Sequence, residues 1–427
     1  IPPGGLLELM HRRIDPAADT QATGWLLFDE TGILERGTDA PPAIHDGTFD
    51  ASGACVAPGI IDIGVKIGEP GERHKESYKT AGAAAAAGGV TTIVTRPDTT
   101  PVTDTPETLA FAMRRAAETA PVHVLPMAAL TKGFEGREMT EIGFLRDAGA
   151  VAFSDADRPV QNPKVLLLAM YYAAGLDVLF VSLPKEPTLS IGAAMTSGPY
   201  AAKLGLSSVG PLAERMQFER DLALVEATGV RYHADQLTCA ASLEVLTRAK
   251  DQRLPVTAGT SVHHLTLNTF DVDDYRTFFK VKPPLRSEDD RMATVEALAS
   301  GLIDIVSSMH TPQDEESKRL PFDEAASGAV ALETLLPACL QLVHAGHLDL
   351  PALFRALSLN PARLLGLPAG RLEVGAPADL IVFDPDAPFV LDRSTLRAKS
   401  KNTPYDGRRM QGRGLRSFVS GHEVFQR

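Results

Sequence analysis

Cysteine is scarce in this sequence. Cys55, Cys239 and Cys339 are its three cysteines, and they lie far apart with no C-x-x-C pair. That excludes a disulfide framework and makes a reducing cytoplasm the expected compartment. Long apolar runs are missing too. The best candidate, VLLLAMYYAAGLDVLFV, is broken by Gly175 and Asp177, and no stretch reaches the roughly 18–20 residues that a membrane span needs. The N-terminal IPPGGLLELMHRR has no basic region ahead of an apolar core, so no signal peptide is expected. Positive charge is in deficit. A net charge of -12 argues against a nucleic-acid surface and against docking on anionic lipid, though it leaves room for a local basic pocket. Tryptophan occurs once, at Trp25, which is expected in a β core.

What is present is alternation. GIIDIGVK, GVTTIVT, PVHVLPMAAL, AVAFSD, LDVLFVSL, GVRYHADQL, LPVTAGTS and LIDIVSSMH are eight strand candidates, with helical patterns mostly between them. This order predicts an α/β fold, a parallel (β/α)8 TIM-like barrel over residues 57–369. Residues 1–56 and 370–427 are rich in short strands and turns, and neither end alone can bury a sheet face. Together they are expected to form one small β-sandwich domain. The alanine run 82–87 suits a helix packed close against the barrel, or a surface facing a partner.

The motifs narrow this further. PGIID opens the barrel, and GEPGERHKES, RPDTTPVTD, AVAFSDADRPV, KVKPPLRSEDD, PFDEAASGAVALET and SKNTPYDG follow in order. In order and spacing the chain resembles the class I dihydroorotases of the amidohydrolase superfamily, over nearly its whole length. The resemblance implies zinc in the barrel mouth, which acidifies a bound water and polarises a cyclic amide.

The same resemblance maps the family's metal ligands onto Gly64, Lys66, Leu183, Gln236 and Met309. Glycine and leucine have no ligand atom, lysine repels a cation, and glutamine and methionine are poor zinc ligands. Asp155 is the candidate surviving carboxylate. The family's substrate-binding arginine falls on Gly68, and two of its asparagines fall on Asp98 and Lys282. The expectation is therefore a catalytically inactive homologue with no cofactor, its zinc lost. Such chains resemble assembly subunits of aspartate transcarbamoylase, so its catalytic chain is the expected partner, and a hetero-oligomer or a homodimer is the expected state. The alternative is an active cyclic amidohydrolase on dihydroorotate or N-carbamoyl-aspartate, with a relocated metal site at His233, Asp235 and His310. His233 and Asp235 have the i, i+2 spacing that puts both on one face of a strand. In the vestigial site Lys66 is expected to replace the lost cation and pair with Asp155, with Lys282 and Arg96 adding charge.

Overall fold

The computed structural model describes residues 5–39, 49–51 and 53–427. Its centre is a closed parallel barrel. Ile60–Val65, Val90–Thr95 and His123–Pro126 form one arc, and Leu179–Ser182, Arg231–Ala234, Val256–Ser261 and Ile305–Ser307 form another. Phe153 is the eighth position, bridging Ala128 on one side and Phe180 on the other. The ring closes where the Lys66 N–H donates to the His310 carbonyl at 2.9 Å. The first and last strands are also joined by Asp62, which accepts from the Ser308 N–H at 2.8 Å and from its hydroxyl. Inward valine, isoleucine and leucine side chains fill the barrel, as parallel strands covered on both faces require.

The helices follow the sequence pattern. Tyr78–Ala87 carries the alanine run; Ser77 caps it, and Ala84, Ala85, Ala86 and Ala87 are all buried. The Ser417 hydroxyl reaches the Ala86 carbonyl at 2.7 Å, so the run is a seam between barrel and terminal sheet rather than a surface for a partner. Alanine is what permits so close an approach of backbones. Pro163–Gly175 starts at the Asn162 cap with proline at its first position, where a missing N–H costs nothing.

Both ends of the chain build one eight-stranded sheet. Its order is His422–Gln426, Arg409–Val419, Leu380–Val390, Cys55–Pro58, Gly5–Asp15, Thr20–Asp29 and Gly32–Gly37, with Phe49–Asp50 beside Gly5–Asp15. Its own core contains Leu26, Phe28, Val56, Leu380 and Phe418, with Phe28 and Phe418 edge to face at 5.1 Å. Trp25 is buried, and its indole N–H donates to the Asp39 carbonyl at 3.1 Å. GRLEVGAPADL makes turns that lead into Leu380–Val390. Asn402 fastens the barrel's rim: its amide donates to the carbonyls of Thr311 and Gly328 and accepts from Gln313. Among the described residues no helix is long and apolar enough to cross a membrane.

Candidate functional site

The C-terminal ends of the barrel strands surround a cavity of about 670 Å³ lined by Lys66, Arg96, Asp98, Asp157, Gln236 and Lys282, among others. This is the end of a barrel where loops can place chemistry. Lys66 and Leu183 line it, and Gln236 donates from its amide to the Lys282 carbonyl at 3.4 Å. Gly64 lies beside them with φ +92, where a Cβ would stand 2.8 Å from the Met309 sulfur and 3.5 Å from an Asp235 carboxyl oxygen. Positive φ and that crowding both favour glycine. The five positions singled out from the sequence thus converge on one mouth.

Lys66 and Asp155 do not pair. Asp155 is buried, and its carboxyl accepts from the Leu130 N–H and the Thr131 N–H, both at 2.9 Å, and from the Thr131 hydroxyl. With those acceptor sites satisfied, it needs no ammonium. Burial raises its pKa to about 6 against the lowering by Thr131 and Leu130. Lys66 instead sits 3.3 Å from Asp98 and 3.4 Å from Glu72. Arg96 forks onto Asp98 through two hydrogen bonds of 3.2 and 3.1 Å. Burial works against the Arg96 charge, but Asp98, Asp157 and Asp235 more than offset it.

Asp157 was not singled out from the sequence, yet it is the aspartate of FSDAD that faces the mouth. Lys282 stands 3.2 Å from it. Burial would raise its pKa, but Lys282, Lys185 and Arg96 together hold it down at about 2. The usable signal was the i, i+2 pair Asp155 and Asp157. Ala156, at φ 51, turns the chain between them and sends the two side chains to different places.

Asp235 is the distinctive group. It is 8% exposed, and no hydrogen bond or ion pair to its carboxyl is found among the described residues. Burial raises its pKa to about 6, with Arg96 pulling the other way. Its strand neighbour His233 is buried, bonds Thr257 at 2.9 Å through Nδ1, and is held neutral by burial, which lowers its pKa to about 3. His310 is turned elsewhere: Nδ1 accepts from the Ala331 N–H at 3.2 Å and Nε2 faces Glu76 at 3.4 Å. Both of its nitrogens are engaged, so His233, Asp235 and His310 do not form the relocated metal site. His264 bridges Ser261 and the Pro283 carbonyl, and His263 stacks on Tyr405.

The zinc implied by the resemblance can be tested against these donors. Among the described residues no group of three or more His, Cys, Asp or Glu could hold a metal ion. The side chains present do not fit a zinc centre. That is a property of the donor set and decides nothing about activity.

Residues 53–242 match the family Dihydro-orotase-like, and residues 205–420 match the Amidohydrolase family. A curated dihydroorotase of Syntrophobacter fumaroxidans is 39% identical over 424 residues, covering 97% of this chain and 96% of that protein. A dihydroorotase of a Wolbachia from Brugia malayi is 36% identical, covering 97% and 94%. In fold, the L-hydantoinase (dihydropyrimidinase) of Arthrobacter aurescens superposes with a TM-score of 0.89 at 25% identity, over 99% of this chain and 96% of that one.

These matches correct two expectations. The reading as a catalytically inactive assembly subunit is overturned, because full-length relatives at these identities carry an enzyme's name, dihydroorotase. The reading that no cofactor is used, its zinc lost, falls with it, because the kinship runs to amidohydrolases, a typically metal-dependent group. Changed residues at five positions do not by themselves establish a lost metal.

Proposed function

Since the chain belongs to the amidohydrolase family, with the dihydroorotase-like proteins as its full-length relatives, we propose that it is a cyclic amidohydrolase acting on dihydroorotate or N-carbamoyl-aspartate. The observation that carries this reading is the 39% identity to a dihydroorotase across 97% of the chain. The mouth supports it chemically. Its substrate is a small carboxylate, and Lys66, Arg96 and Lys282 line the cavity as cations for one.

In ring opening, water adds to the amide carbonyl carbon, the C–N bond breaks, and the ring nitrogen leaves with a proton. Asp235, the residue before the mouth-lining Gln236 and 3.5 Å from where a Cβ on Gly64 would stand, is the group we assign to move that proton. Its carboxyl has no competing partner, and a pKa of about 6 lets it both take and return a proton near neutrality.

The test is turnover of dihydroorotate, and of N-carbamoyl-aspartate in reverse, by protein purified with zinc supplied. Elemental analysis of the same sample reads its metal content. Turnover that falls in Asp235→Asn supports the reading, and no turnover in either direction rejects it. Three buried free cysteines support a cytoplasmic setting, and assembly with the aspartate transcarbamoylase catalytic chain rests on the family resemblance alone. Co-elution of the two chains from a sizing column tests it.

A further inference from the structure

A second cavity, of about 320 Å³, lies on the other side of Lys282 from the mouth. Lys185, Lys280, Lys282 and Arg286 line it together with Glu214 and Asp323. Most of these charges are already paired. Arg286 holds Glu214 at 3.1 Å with both side chains buried, and also donates to Thr238 and Thr196. Lys282 holds Asp157.

Lys185 and Lys280 are different. Lys185 donates to the Asp157 backbone carbonyl at 2.9 Å, and Lys280 donates to the Asp323 backbone carbonyl at 2.8 Å. Among the described residues neither is in an ion pair. Behind the wall a third lysine repeats the pattern. Lys318 is buried and donates to the carbonyls of Thr277 at 3.0 Å and Ala326 at 2.7 Å, again with no carboxylate. Burial lowers the pKa of all three. Asp323 opposes this at Lys280 and Asp157 at Lys185; Lys282 adds to it at both, and Lys280 adds to it at Lys318. Buried and half-buried ammoniums that crowd one another, with only the longer-range charges of Asp157 and Asp323 against them, are costly unless something adds counter-charge.

We propose that this second cavity binds a small oxyanion, of the phosphate or dicarboxylate class, between Lys185 and Lys280. Two ammoniums facing one space can each donate to separate oxygens of such an anion, with charge-assisted bonds that carbonyls cannot match. The Ser327 hydroxyl, on the rim shared with the mouth, is a further donor. Because Lys282 belongs to both walls, an anion here alters the field that the mouth's substrate meets.

The experiment is calorimetric titration of the full chain with inorganic phosphate and, separately, with succinate. Wild type should bind at least one of them at one saturable site. Lys280→Met should weaken binding about tenfold or more. Ala193→Leu, which fills the cavity and keeps every charge, should do the same if the ligand sits inside. Lys66→Met, on the mouth side only, should leave binding within about twofold. The proposal is overturned if neither anion binds saturably, or if Lys66→Met abolishes binding while Lys280→Met and Ala193→Leu retain it. Lys280 and Ala193 do not line the mouth, so failure here leaves the turnover test of the proposed activity untouched.

Discussion

Two sides of the barrel mouth handle charge in opposite ways. On the side of the first two strands, Lys66, Glu72, Arg96 and Asp98 form a continuous set of opposite charges within 3.1–3.4 Å. Across the barrel, on the strand Arg231–Ala234 and the residue after it, His233 and Asp235 are buried with no opposite charge in contact. Paired groups are suited to recognise charge. Unpaired buried groups are pushed towards neutrality and become able to exchange protons. The cations that would meet a carboxylate and the acid that would move a proton therefore come from different strands, each tuned by its surroundings.

That contrast breaks most visibly at Asp235. Asp235→Asn should lower dihydroorotate turnover by about 10²–10⁴-fold, the usual contribution of one general acid–base. Its melting temperature should not fall, because no hydrogen bond is lost. A parallel loss of stability would mean that the carboxyl is structural. Arg286→Met tests the paired regime at its most buried. It strands the Glu214 carboxylate, and unfolding in urea should show a loss of about 3–5 kcal/mol. A double change to Arg286→Met with Glu214→Gln should recover part of that loss.

Lys66→Met is a smaller perturbation, since Asp98 keeps Arg96 and Glu72 keeps Lys75. About 1 kcal/mol of stability should go, with a larger effect on KM than on kcat if Lys66 meets the substrate. A further effect is in the pH dependence of stability. Asp155 and Asp235 have folded pKa values of about 6, above the ordinary 3.8. Between roughly pH 4 and 6 the folded state binds more protons than the unfolded one, so stability from these groups falls as pH rises through that window and is flat above it. The decline should be shallower in Asp235→Asn, as read by denaturation midpoints at several pH values.

Much of this architecture was legible in the sequence. Strand and helix alternation gave the barrel because each strand is buried on both faces and each alanine-rich helix has one close-packed side. Ordered motifs placed Gly64, Lys66, Leu183, Gln236 and Met309 at one mouth. Charge pairing was not legible. Asp155 finds its partners on Leu130 and Thr131, a loop from a different strand, and periodicity says nothing about which loop leans on which. Asp157 and Lys185 lie in irregular segments, where the positive φ of Ala156 sets direction and no pattern announces it. Reading function from missing ligand types also failed. A list of lost residues does not reveal that the carboxyl next to one of them, Asp235 beside Gln236, has no hydrogen bond or ion pair among the described residues.

The most direct measurement is the pH profile of kcat/KM for dihydroorotate ring opening by the wild-type chain and by Asp235→Asn. The expected result is a limb in the wild-type profile near pH 6 that disappears in the variant along with most of the rate. A limb that persists unchanged in Asp235→Asn, or a wild-type chain with no turnover at any pH, would contradict the assignment.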